Sequence, residues 1–108
     1  MARIVVDGFC TCDEPEEYGE ATFLGIFVGT EDLAKIVEWC RSKALEYLSV
    51  ITDVRVEEKT TVFEIDGVKK EVPANAVEID GSIYDEEYDE HYEAVCSFRI
   101  LDLDKLSR

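Results

Sequence analysis

Two long stretches of this sequence contain neither lysine nor arginine. Between Ile4 and Ala34 there are eight acids and no base, and between Glu71 and Phe98 nine acids and no base. Those two stretches hold 17 of the 26 acids, while the remainder carries nine acids and all 11 bases, so the formal charge of −15 is segregated along the chain. Such a field repels nucleic acid and anionic membrane and attracts basic surfaces, which excludes nucleic acid and membrane as direct partners. Long apolar runs are missing as well. No segment approaches the ~20 apolar residues of a membrane span. The opening MARIVVDGF is too short an apolar run for a secretory signal. The expectation is an intracellular, cytoplasmic protein (the host's cytoplasm, if the source is viral).

Catalytic patterns are equally scarce. There is one histidine, His91, and it lies inside an acidic run, where it reads as a solvated surface residue. No Gly-rich phosphate loop, H-E-x-x-H pair or D-x-D-x-D-G calcium loop occurs. Carboxylates are too numerous for any one pair to mark acid–base chemistry. Four cysteines are present, Cys10, Cys12, Cys40 and Cys96, but not as the two close pairs typical of structural zinc. Cys40 falls on an apolar helix stripe and Cys96 among Ala94, Phe98 and Ile100. They read as reduced core thiols, since free cysteine is among the most buried residue types and a cytosolic disulfide is rare. The chain is therefore read as a non-enzyme with no catalytic residues, no metal and no cofactor.

What is present is enough for one folded domain over residues 1–108. The hydrophobic fraction is 46%, with five Phe, five Tyr and one Trp, which rules out a disordered acidic tail. Residues 2–10 read as a strand, 11–20 as a loop, and 21–28 as a second strand, apolar on both faces and hence central. Gly25 inside it marks a bulge or a close approach. Thr30 is placed to cap a helix of about 18 residues, with Leu33, Ile36, Val37, Cys40, Ala44, Tyr47 and Leu48 on one side. Asp66-Gly67 between two apolar runs predicts a hairpin, and Asp80-Gly81 repeats the same turn chemistry. Alternation from Ala94 to Leu101 gives the last strand. The expected architecture is α+β, with one amphipathic helix packed on a mostly antiparallel sheet of four to six strands, in the order β-β-α-β-β-β-β.

The run YDEEYDEHYEAV at 84–95 sets three tyrosines four residues apart among six carboxylates. A spacing of four puts Tyr84, Tyr88 and Tyr92 on one face whether the run is helical or extended. The tyrosines then anchor and the acids project. The candidate binding residues are Tyr84, Asp85, Glu86, Glu87, Tyr88, Asp89, Glu90, Tyr92 and Glu93, joined by Asp13, Glu14, Glu16, Glu17 and Glu20 of the first acidic loop. Trp39, on the polar flank of the helix, is a candidate interface anchor.

Duplex DNA presents one negative charge per ~1.7 Å of axis, and proteins grip it with Lys/Arg tracks. An ordered row of carboxylates can occupy such a track. In size and composition the chain resembles the small acidic nucleic-acid mimics that phages and viruses deploy against restriction or CRISPR machinery. That character implies a partner that is a basic nucleic-acid-binding protein. A general acidic adaptor is the alternative, and a small ligand-binding domain or enzyme is less favoured. Salt adaptation fits poorly, because halophile coats spread their acid and favour Asp, whereas here Glu outnumbers Asp 16 to 10 and the charge is clustered.

Overall fold

The computed structural model describes residues 3–29 and 32–106. Its elements run β1 Arg3–Cys12, α1 Pro15–Tyr18, β2 Ala21–Val28, α2 Leu33–Ala44, β3 Val50–Ile65, β4 Val68–Asp85, β5 Glu90–Asp102 and α3 Leu103–Leu106. The five strands form one antiparallel sheet in the order β2-β1-β5-β4-β3. The first and last long strands thus lie together near its middle.

This corrects the expected α+β architecture. Of the described residues 64% are strand and 19% helix, and all the helices are short. The expected single helix of some five turns is a 12-residue α2 flanked elsewhere by two four-residue helices. Its pattern overruns the helix because Tyr47 and Leu48 keep the 3.6 spacing while lying beyond its end at Ala44. Thr30 lies outside the described residues. Asp32 caps α2, its carboxylate accepting from the amides of Ala34 at 3.1 Å and Lys35 at 3.4 Å.

Alternation sorts the strands into two faces. On one face Ile4, Val6, Cys10, Val77, Ile79, Ala94, Cys96, Phe98 and Ile100 form a buried cluster with Ile36, Cys40, Ala44 and Leu48. Two glycines make room in it. A Cβ on Gly8 would run into the Phe98 ring, and one on Gly25 would sit 2.7 Å from Trp39 Cζ2, so Gly25 is a site of close approach. The second face carries Val5, Asp7, Phe9, Ser97 and Arg99, with Ala74 and Leu101 buried on it and the Phe63 ring 5.6 Å from the Arg99 guanidinium.

Two further expectations need correction. β2 is an edge strand and not a central one: its one neighbour in the sheet is β1, and Leu24, Ile26 and Val28 on its second face are exposed. Asp80-Gly81 is no turn: it lies inside the 18-residue β4, where a Cβ on Gly81 would collide with the Val50 carbonyl beside the register shift between Ile51 and Asp53. Asp66-Gly67 does form the β3–β4 turn, with φ of 52° and 79°, as a tight hairpin requires. Beyond the Ala74–Leu101 pair the β3–β4 ribbon runs on alone to that turn, and Pro73 sits just past the last β5 partner, where a missing N–H is tolerated. No helix among the described residues is long and apolar enough to cross a membrane.

The reading of Cys96 as a reduced thiol is also overturned. Cys10 and Cys96 stand directly opposite each other on β1 and β5 and form a disulfide across a sequence separation of 86. Sequence cannot show that pairing, because it follows from the β1–β5 register. Cys12 and Cys40 are free. Burial pushes the Cys40 thiol up to about 12. Denatured protein should therefore label two thiols before reduction and four after it. Cross-linking residues so far apart restricts the unfolded chain, so reduction should cost about 2–4 kcal/mol in denaturant unfolding. Identical unfolding midpoints with and without reductant would contradict the bridge.

Candidate functional site

Antiparallel pairing sets the end of β1 beside the beginning of β5. Cys12 faces Ala94, and the Asp13 amide donates to the Glu93 carbonyl at 3.1 Å. The segment leaving β1 is the first acidic loop, and the segment entering β5 is the second acidic run. Both arrive at the same end of the sheet.

Local chemistry then fixes each segment. Pro15 starts α1, where its fixed φ suits a first helical turn. Gly19, at φ 75°, ends it with its N–H on the Pro15 carbonyl at 2.9 Å. The Tyr47 hydroxyl donates to the Gly19 carbonyl at 2.7 Å and ties the loop to the turn after α2. In the second segment Asp85 ends β4 and its Oδ1 accepts from the amides of Glu87 at 2.9 Å and Tyr88 at 3.4 Å. Asp89 then takes a positive φ of 53°, and β5 begins at Glu90.

Tyr18 joins the two. Its ring lies 5.2 Å from that of Tyr92, and its hydroxyl donates to Asp85 Oδ2. Tyr18 was not singled out from sequence. The available signal was one aromatic ring in an otherwise polar, acidic loop.

The expectation that Tyr84, Tyr88 and Tyr92 share a face fails. The chain reverses at 86–89, so the spacing of four spans a turn. Tyr84 pairs with His91 and projects from one face, its ring 4.9 Å from the imidazole. Tyr92 pairs with Ile83 and projects from the other. Tyr88, in the turn itself, is 61% exposed. The tyrosines hold carboxylates instead of forming a stripe: Tyr84 donates to Asp89 at 2.5 Å and Tyr92 to Glu90 at 2.9 Å.

The surface therefore gathers 11 acids, namely Asp13, Glu14, Glu16, Glu17 and Glu20 with Asp85, Glu86, Glu87, Asp89, Glu90 and Glu93. All but the half-buried Asp85 are exposed. Among the described residues none of the 11 enters an ion pair; the bridges formed join Arg3–Asp104, Lys43–Glu46, Arg55–Asp53, Arg55–Asp80, Lys59–Glu57 and Arg99–Asp7. Trp39 is not part of this surface. It is half-buried, edge-on to Phe27 at 5.6 Å and to Phe98 at 6.3 Å, with Lys43 over its ring. Its ring packs on the sheet and does not stand free as an anchor.

A second feature is a groove of about 700 Å³ on the second sheet face, between the β3–β4 ribbon and β2. Asp7, Phe9, Leu24, Lys59, Glu78 and Arg99 are among its lining residues, and Arg99 is spent on Asp7 through two hydrogen bonds at 3.2 and 2.9 Å. Among the described residues no group of three or more His, Cys, Asp or Glu is placed to hold a metal ion.

The hydrogen bonds shift the groups that make them. The Tyr18 hydroxyl holds Asp85 below the ordinary carboxylate value, helped by the Glu87 and Tyr88 amides. In return Asp85 raises Tyr18, Asp89 raises Tyr84, and Glu90 raises Tyr92 above the ordinary value near 10. Tyr47 is also raised, chiefly by burial. The depressed Asp85 contributes stability present above its unfolded value of 3.8 and lost as pH falls through its lower folded value. The raised tyrosines contribute stability present below 10 and lost as pH climbs through their folded values. Ultraviolet titration should thus show Tyr18, Tyr47, Tyr84 and Tyr92 ionising late, and in Tyr18→Phe the Asp85 carboxyl, followed by NMR, should titrate at higher pH than in the parent. An Asp85 titration unmoved by that substitution would contradict the contact.

Comparison with protein-family models, with curated proteins and with solved structures finds no match to this chain.

Proposed function

We propose that this protein is a small acidic inhibitor that presents its carboxylate surface to the basic groove of a nucleic-acid-binding protein, in the place nucleic acid would occupy. The observation that carries the reading is the meeting of two base-free acidic segments at one end of the sheet, tied by Tyr18, Asp85 and Tyr92. Eleven acids without ion pairs form a field that a Lys/Arg track would neutralise.

The arrangement suits mimicry in two ways. The tyrosine hydroxyls restrain Asp85, Asp89 and Glu90, so part of the ordering cost is met before binding. The ring of Tyr88 is open for stacking on an arginine of the groove. No catalytic step is required. The protein would act by occupancy, and its association would be steered by charge.

The test uses a captured partner in surface plasmon resonance, with duplex DNA or RNA as competitor. Binding should weaken steeply as salt rises, since exposed charges are screened beyond ~8–10 Å at physiological ionic strength. Changing Glu16, Glu17, Glu86 and Glu87 to lysine should slow association at least ten-fold, with the circular dichroism spectrum unchanged because all four are exposed. Tyr88→Ala should act mainly on dissociation. If the charge-reversed protein binds as well as the parent, or nucleic acid fails to compete, the acidic-adaptor reading replaces this one.

A further inference from the structure

We propose that β2 is a self-association edge, through which two copies of this chain pair antiparallel to continue the sheet. The composition of β2 does not match its position. ATFLGIFV has the apolar character of a strand covered on both faces and flanked on both edges. In the fold it has one neighbour, β1, and one covered face. On the covered side Phe23 and Phe27 are half-buried and Gly25 lies under Trp39. On the open side Leu24 is 68%, Ile26 71% and Val28 62% exposed, beside Phe9 at 44% on β1.

Natural edge strands are usually blunted by lysine, proline, a bulge or brevity. β2 has none of these. It runs eight residues with an unbroken register to β1, and no charged residue occurs from Ala21 to Gly29 in a chain that is 34% charged. It is a long neutral edge on a molecule of charge −15.

Charge decides which way a second copy would dock. The acidic surface adjoins the Ala21 end of β2, since Glu20 and α1 precede it directly. Parallel pairing would set two acidic surfaces side by side. Antiparallel pairing puts the Ala21 end of one copy beside the Val28 end of the other. The two acidic ends are then separated by the strand's length, roughly 24 Å at ~3.4 Å per residue, beyond two Debye lengths of ~8–10 Å.

The strand also complements itself under a two-fold axis. With Gly25 on the axis, Leu24 of each copy faces Ile26 of the other, Thr22 faces Val28, and Phe23 faces Phe27. Leu24 and Ile26 then gain cross-strand apolar neighbours and Val28 the methyl-bearing Thr22, pairings of the kind that stabilise sheets. The interface is small, so association should fall at about micromolar concentrations and not below.

This pairing stands independently of the proposed inhibitory function, and salt separates the two. Partner binding through the carboxylates weakens as salt rises, whereas screening like-charged copies should strengthen the dimer. Sedimentation equilibrium across a concentration series, at low and high salt, reads it directly. The parent should approach twice the chain mass at about 100 μM, and more completely at high salt. Ile26→Lys and Ile26→Glu should both remain monomeric with unchanged circular dichroism, because Ile26 is largely exposed. Glu64→Lys, on the opposite edge strand β3, should dimerise no less than the parent. A parent that stays monomeric throughout the series, or dimers that persist in both Ile26 variants, overturns the proposal.

Discussion

The pairing of β1 with β5 is the constraint on which the rest of the structure depends. It joins residues some 90 positions apart in a continuous antiparallel ladder from Ile4–Asp102 to Cys12–Ala94. Three features follow from that register. Cys10 and Cys96 face each other and close a disulfide. Gly8 faces Phe98, whose ring fills the space a side chain would have taken. The acidic loop leaving β1 meets the acidic turn entering β5, so two charge runs distant in sequence become one surface.

Concentrating like charge at one end costs stability there, and the fold meets that cost locally. The core holds no buried polar or charged residue among those described, so every described acid keeps access to water. Within the acidic end, hydroxyl and amide donors substitute for absent cations. Asp85 accepts from Tyr18 and two backbone amides, while Asp89 and Glu90 each accept from a tyrosine. Neutral donors stabilise a carboxylate without cancelling its charge. The surface is thus ordered while its field is preserved, as the proposed mimicry of a polyanion requires.

Much of this was legible in the sequence, and the failures have physical causes. The segregation of charge, the strands at the two ends of the chain, the Asp66-Gly67 turn and the close approach at Gly25 all follow from local chemistry. The helical period overstates α2 because apolar residues beyond Ala44 keep it after the chain has left the helix. Asp80-Gly81 imitates a turn, yet Gly81 is required by the neighbouring Val50 carbonyl. The tyrosine spacing misleads because periodicity assumes one continuous element, and a turn intervenes at 86–89. The disulfide and the union of the two acidic runs depend on strand order, which no local pattern encodes. The composition of β2 suits the middle of a sheet, and its edge position leaves Leu24, Ile26 and Val28 exposed.

The central claim is that one strand pairing fuses the two acidic runs into a single ordered surface. Nuclear Overhauser contacts in the folded protein address it most directly. The account predicts cross-strand contacts between Cys12 and Ala94, a contact between the Tyr18 and Tyr92 rings, and slow exchange of the Asp13 amide bonded to Glu93. Absence of the Tyr18–Tyr92 contact, with fast exchange at Asp13, would leave the acidic segments as separate loops and contradict the account.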